Sequence, residues 1–116
     1  MRMKNLVHPD RDSIELAAVL HALSDPVRLR IVRTLATDGD VERPCGTFNL
    51  PVTKSTTSHH IKVLREAGVI YQRHVGTLKM TSLRREDLDA RFPGLLEAIL
   101  SAEAAAAPPL AHAAAA

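Results

Sequence analysis

Aromatic side chains are nearly missing from this chain: Phe48, Tyr71 and Phe92 are the whole set, and there is no tryptophan. Proteins that hold single-stranded nucleic acid stack successive bases on exposed rings, so the shortage argues against that mode, whereas duplex binding needs no rings. The core must then come from Leu, Ile, Val and Ala within a hydrophobic content of 46%, which suits packed helices better than a sheet sandwich. Cysteine is reduced to Cys45, which excludes an internal disulfide and fits a reducing compartment. No apolar run approaches the length of a membrane span, and the first residues lack the apolar stretch of a signal peptide. A cytoplasmic location without a membrane partner is the expectation. Catalytic groupings are missing as well. There is no phosphate-cradling glycine loop, nucleophile–base–acid set or carboxylate pair in a plausible cleft, so the chain is not expected to be an enzyme.

What is present is a segregation of charge. Between Lys54 and Arg85 lie seven Lys/Arg against the single acid Glu66, leaving eight basic and twelve acidic residues elsewhere. A net charge of +2 therefore conceals a basic block inside an otherwise acidic chain. A basic, polar helix followed by a basic hairpin is suited to the phosphates of duplex DNA.

At 116 residues there is room for one domain with a modest core. Residues 1–11 read as a flexible N-terminal arm, 12–107 as the folded domain and 108–116 as a disordered Ala/Pro-rich tail. A first helix is predicted from Asp12 or Ser13 to about Leu23. Ser24-Asp25-Pro26 caps and starts a second, expected to run to Ala36 with Arg28, Arg30 and Arg33 facing water. Pro44 and Pro51 bracket a segment in which a short helix is predicted. From Thr53 to Ala67 the periodicity is helical: Thr57, Ile61, Leu64 and Ala67 share one face, bordered by His60 and Val63. Ser55, Ser58, His59 and Lys62 share the other. Gly68 is placed to end that helix. A two-stranded hairpin turning at Gly76 is expected over Val69–Leu83, then a helical turn over Glu86–Arg91 and a last helix from Pro93. The predicted class is mainly α with a small β-hairpin, in the order of a winged helix-turn-helix.

In that arrangement the candidate DNA-binding residues are Lys54, Ser55, Thr56, Ser58, His59, Lys62 and Arg65 on the helix and Arg73, His74 and Lys79 on the hairpin. Short hydroxyls and an imidazole can hydrogen-bond base edges, and the cations can hold phosphates. His60, nearer the apolar face, is expected to be structural. The apolar residues Ile14, Ala17 and Leu20 near the start, with Leu95, Leu96, Ile99 and Leu100 near the end, exceed what one small core needs and suggest a homodimer interface. Cys45 is a candidate thiol sensor. His8, Asp10 and His112 are candidate ligands for a divalent transition metal, nickel or zinc, joined to a neighbouring subunit.

The runs ALSDPVRLRIVRTLA at 22–36 and STTSHHIKVLREAGVI at 55–70, with the glycine-turned hairpin and C-terminal helix, resemble the ArsR/SmtB family of bacterial winged-helix regulators. That resemblance implies a homodimer built on the first and last helices, and a repressor of a DNA operator released by an effector. The family's soft-metal sensors carry a Cys-x-Cys within ELCVCDL, where this chain reads VERPCGTFNL. Its zinc-type sensors use Asp and His pairs on the last helix, which here reads FPGLLEAILSAEA without histidine. Neither metal site is carried over. The alternative function is an interaction module that needs a partner protein, a co-regulator, to reach its operator.

Overall fold

The computed structural model describes residues 6–106. Five helices and three strands follow in the order α1 (Leu16–Ala22), α2 (Pro26–Thr37), β1 (Arg43–Pro44), α3 (Lys54–Ala67), β2 (Ile70–Val75), β3 (Leu78–Leu83), α4 (Arg85–Arg91) and α5 (Leu95–Ala106). Single 3-10 turns lie at Arg11–Ser13 and Cys45–Thr47. Among the described residues no helix is long and apolar enough to cross a membrane.

Capping chemistry sets the ends of the two central helices. The Asp25 carboxylate accepts from the backbone N–H groups of Val27 (2.8 Å) and Arg28 (3.2 Å), and Pro26 occupies the first helical position. Thr53 does the same for α3 through Thr56 N–H, 3.2 Å. Gly68 closes α3 in the left-handed region (φ 91°), where its N–H reaches Arg65 O and that of Val69 reaches Leu64 O. The apolar stripes so oriented meet in one core: Val19 and Ala22 from α1, Ile31, Val32 and Leu35 from α2, Ile61, Leu64 and Ala67 from α3. Val69, Ile70 and Leu83 of the sheet close one side and Leu88 and Leu96 another.

The structure departs from the sequence expectations at four places. The first helix does not begin at residue 12 or 13. A 3-10 turn is followed by extended backbone at Ile14 (ψ 124°), whose side chain is buried beneath Gly68 and whose carbonyl accepts from the Arg91 guanidinium. A continuous helix would pull that side chain out of the core, so α1 starts at Leu16. The short helix expected between the prolines is only the turn at Cys45–Thr47. Ahead of it Arg43–Pro44 pairs with Thr81 and Met80, which makes the wing sheet three-stranded, ordered β1-β3-β2, rather than a two-stranded hairpin. Arg28, expected to face water, is buried. Finally, the described part of the presumed flexible arm is docked. The Gln72 N–H donates to His8 Nε2 (2.9 Å), the His8 ring stacks on Tyr71, and Arg84 donates to Pro9 O (2.8 Å). Arg11 and Arg84 both reach Asp87. Burial pushes the Asp87 carboxyl up, but these two guanidinium groups outweigh it and hold it below the usual carboxylate range. Burial lowers the His8 pKa, so the docked arm favours neutral imidazole and loosens as pH falls below the ordinary histidine range.

Candidate nucleic-acid interface

The two faces of α3 have opposite fates. Ile61, Leu64 and Ala67 are in the core, whereas Lys54, Ser55, Thr56, Ser58, His59 and Lys62 are all exposed. At the helix start the hydroxyls of Thr53, Ser55 and Thr56 form a cluster: Thr53 Oγ1 lies 3.3 Å from Ser55 Oγ and 3.0 Å from Thr56 Oγ1. These groups are polar, short and unburied, next to the free N–H groups of a helix terminus. Among the described residues Lys62 makes only a long i,i+4 approach to Glu66, 4.0 Å, in which both partners are solvated. Its charge stays available to an anion.

Behind this face the helix is held by a buried pair. Arg28 Nε donates to Ala22 O (2.6 Å), its NH2 lies 3.4 Å from His21 O, and its NH1 meets His60 Nδ1 at 3.1 Å. An arginine has no acceptor, so His60 Nδ1 accepts and the ring carries its proton on Nε2. One guanidinium thus ties two carbonyls at the end of α1 to α3, one residue behind exposed His59. The expected structural role of His60 has this physical basis.

The wing residues fall into two groups. Arg65 turns back from α3: its NH1 donates to Gln72 Oε1 (2.8 Å), and Gln72 Nε2 in turn donates to Thr81 Oγ1 (3.2 Å). Arg65 Nε is buried without a hydrogen-bond partner among the described residues. This side chain, a candidate phosphate anchor from sequence, braces α3 against the sheet. His74 and Lys79 face each other across β2 and β3, half-buried and exposed respectively, in the second rung from the Gly76 turn. Arg73, also exposed, donates from Nε and NH2 to both carboxylate oxygens of Glu42, at 2.6 and 2.9 Å. The Arg73 hydrogen bond draws the Glu42 carboxyl below its usual range. Periodicity does not single out Glu42 or Gln72, because each matters through a contact made across the fold.

Among the candidate interface residues, Ile14 and Leu96 are core residues of the protomer, 1% and 2% exposed, and have no surface left to offer a second copy. Ala17 and Leu20 are exposed, as is neighbouring Leu16, while Leu95, Ile99 and Leu100 are half-buried. Val19, Leu23 and Leu88 pack with Leu95, Leu96 and Ile99 where α1 and α5 approach. Cys45 is a free, half-buried thiol at its 3-10 turn. His8 Nε2 is engaged by Gln72 N–H, and no group of three or more His, Cys, Asp or Glu is placed to hold a metal among the described residues. Asp10 is exposed, and His112 lies outside the described residues.

Comparison with known proteins agrees with this geometry. A family described as a helix-turn-helix domain matches residues 23–73. The uncharacterized HTH-type transcriptional regulator YceK of Bacillus subtilis is 40% identical over 85 residues, covering 72% of this chain and 84% of its own length. A cadmium resistance transcriptional regulatory protein CadC homolog of Staphylococcus aureus is 31% identical over 77 residues, 66% of this chain and 63% of that protein. The transcriptional repressor BigR from Xylella fastidiosa has the same fold, with a TM-score of 0.59 over 81% of this chain and 88% of its own, at 23% identity. With the winged helix-turn-helix geometry and a relative matched over most of its length, the chain belongs to the ArsR/SmtB family of DNA-binding transcriptional regulators.

Proposed function

We propose that this regulator is a cytoplasmic, non-catalytic repressor that works as a homodimer. Each α3 enters a major groove, and each β2–β3 wing lies along the flanking backbone. The observation that carries the docking is the division of α3, with core residues on one face and Lys54, Ser55, Thr56, Ser58, His59 and Lys62 exposed on the other. A two-fold pair would read half-sites separated by about one helical turn or a multiple of it. Support for pairing comes from the apolar ridge of Leu16 and Leu20, 45% and 46% exposed on α1, and from the half-buried Leu95 and Ile99 of α5. A monomer leaves that apolar ridge in water.

The test joins sedimentation to a mobility shift on the DNA upstream of the protein's own reading frame. Wild type is expected to sediment as a dimer and shift the fragment. Leu20→Glu places a charge on the ridge without entering the core. It should sediment as a folded monomer and lose affinity by at least about 10²-fold as two-site binding becomes one-site binding. A monomeric wild type, or a Leu20→Glu protein that still pairs and binds, contradicts the proposal.

A further inference from the structure

The loop from α2 to β1 is an acidic ribbon laid against arginines. Asp38 pairs with Arg43, Asp40 with Arg85 and Glu42 with Arg73. Of these arginines, Arg73 is the one on the exposed face of the wing, between Tyr71 and the His74–Lys79 rung. Its partner takes both forward donors at once, 2.6 Å from Nε and 2.9 Å from NH2. An arginine uses the same two-pronged geometry to hold a phosphate. A DNA phosphate and the Glu42 carboxylate therefore compete for one fork.

We infer that Glu42 is an affinity-setting residue of the DNA-binding surface: an internal stand-in for phosphate that occupies Arg73 in the free protein and must be displaced when the wing seats. The inference rests on the docking proposed above. Two physical consequences follow. In free protein the Glu42 carboxylate neutralises Arg73, so that arginine contributes little to counterion release on binding. In the complex, a displaced Glu42 leaves a negative charge beside the phosphates, which opposes binding to every sequence alike. Lys79, one strand away, has no such partner among the described residues and remains an open cation. The pair is solvated, so breaking it does little to the fold.

The experiment measures anisotropy of a fluorescein-labelled duplex of mixed sequence against NaCl concentration for wild type, Glu42→Gln, Arg73→Ala and the double variant, with melting curves as a check on folding. Glu42→Gln keeps the shape and one acceptor but removes the charge. It should bind roughly three- to ten-fold tighter at low salt, with a log–log salt slope steeper by about one. The double variant should bind well below Glu42→Gln and only slightly above Arg73→Ala, since all of the gain but the relief of direct repulsion passes through that side chain. Wild type that binds while Glu42→Gln binds equally or more weakly overturns the inference and leaves the docking intact. A double variant as tight as Glu42→Gln overturns it as well. If neither wild type nor Glu42→Gln binds duplex at low salt, the docking itself fails and the inference fails with it.

Discussion

Replacing Gly68 with alanine should lower the stability of the fold by about 3 kcal/mol, the sum of a left-handed backbone penalty and an overpacking penalty. Gly68 has φ 91°, a region that costs an L side chain energy wherever it occurs. Here a Cβ would also stand 2.6 Å from Ile14 Cγ1, 2.9 Å from Ile14 Cδ1 and 3.2 Å from Pro9 Cγ. Ile14 cannot swing aside, because it is 1% exposed and its carbonyl is held by Arg91. Gly39 supplies the control. It too has a positive φ, 77°, but nothing lies within 4 Å of the position its Cβ would take. Gly39→Ala should therefore cost only the backbone part, about 1 kcal/mol. Urea unfolding monitored by circular dichroism separates the two. Equal midpoints for both variants would show that the approach of Ile14 to Gly68 does not constrain the fold.

The second large effect is expected at Arg28. Arg28→Met keeps an apolar stem of similar length but removes every donor. Ala22 O and His60 Nδ1 then lose the donor that reaches them in a largely closed site, while His21 O keeps the Ser24 hydroxyl and N–H. The loss should be about 2–4 kcal/mol, the usual result of removing one partner from a buried polar set. Because His60 is one of the stranded acceptors, Arg28→Met combined with His60→Leu should cost clearly less than the sum of the single changes, with a coupling of about 1 kcal/mol or more. Unfolding curves for the four proteins complete the cycle. Strict additivity would mean that the Arg28–His60 contact does not act as a unit. DNA binding supplies a second readout, since α3 is anchored to the end of α1 through this guanidinium.

These two residues also show what the sequence reveals and what it hides. Local chemistry was legible. Asp25-Pro26 starts α2 and Thr53 starts α3, Gly68 ends α3, and Gly76 turns the wing, because each signal acts within four residues of itself. The amphipathic split of α3 was legible for the same reason: a period repeats along one element. Contacts between elements were not. Arg28 shares the charge and spacing of Arg30 and Arg33, and it is buried only because His60, 32 residues away, meets it beneath α3. Arg73 reads as a free wing cation until Glu42, 31 residues earlier, is seen to hold it. Ile14 has helical spacing with Ala17 and Ala18, yet the tertiary need to fill the space under Gly68 breaks the helix before Leu16. On the terminal segments, periodicity marks the apolar residues but does not show that Ile14 and Leu96 face inward while Leu16 and Leu20 face out.

The proposed docking puts the exposed face of α3 in the groove of duplex DNA, with its hydroxyls and imidazole on the bases and Lys62 on the backbone. It is tested most directly by measuring the affinities of Lys62→Ala and His59→Ala for a panel of operator variants over a range of salt. Lys62→Ala should weaken all sequences by a similar factor and flatten the log–log salt slope by about one. His59→Ala should leave the slope nearly unchanged and reorder the panel by about 1–3 kcal/mol at one base position. If Lys62→Ala binds with the affinity and salt slope of wild type, and His59→Ala leaves the sequence ranking unchanged, α3 does not lie in the groove.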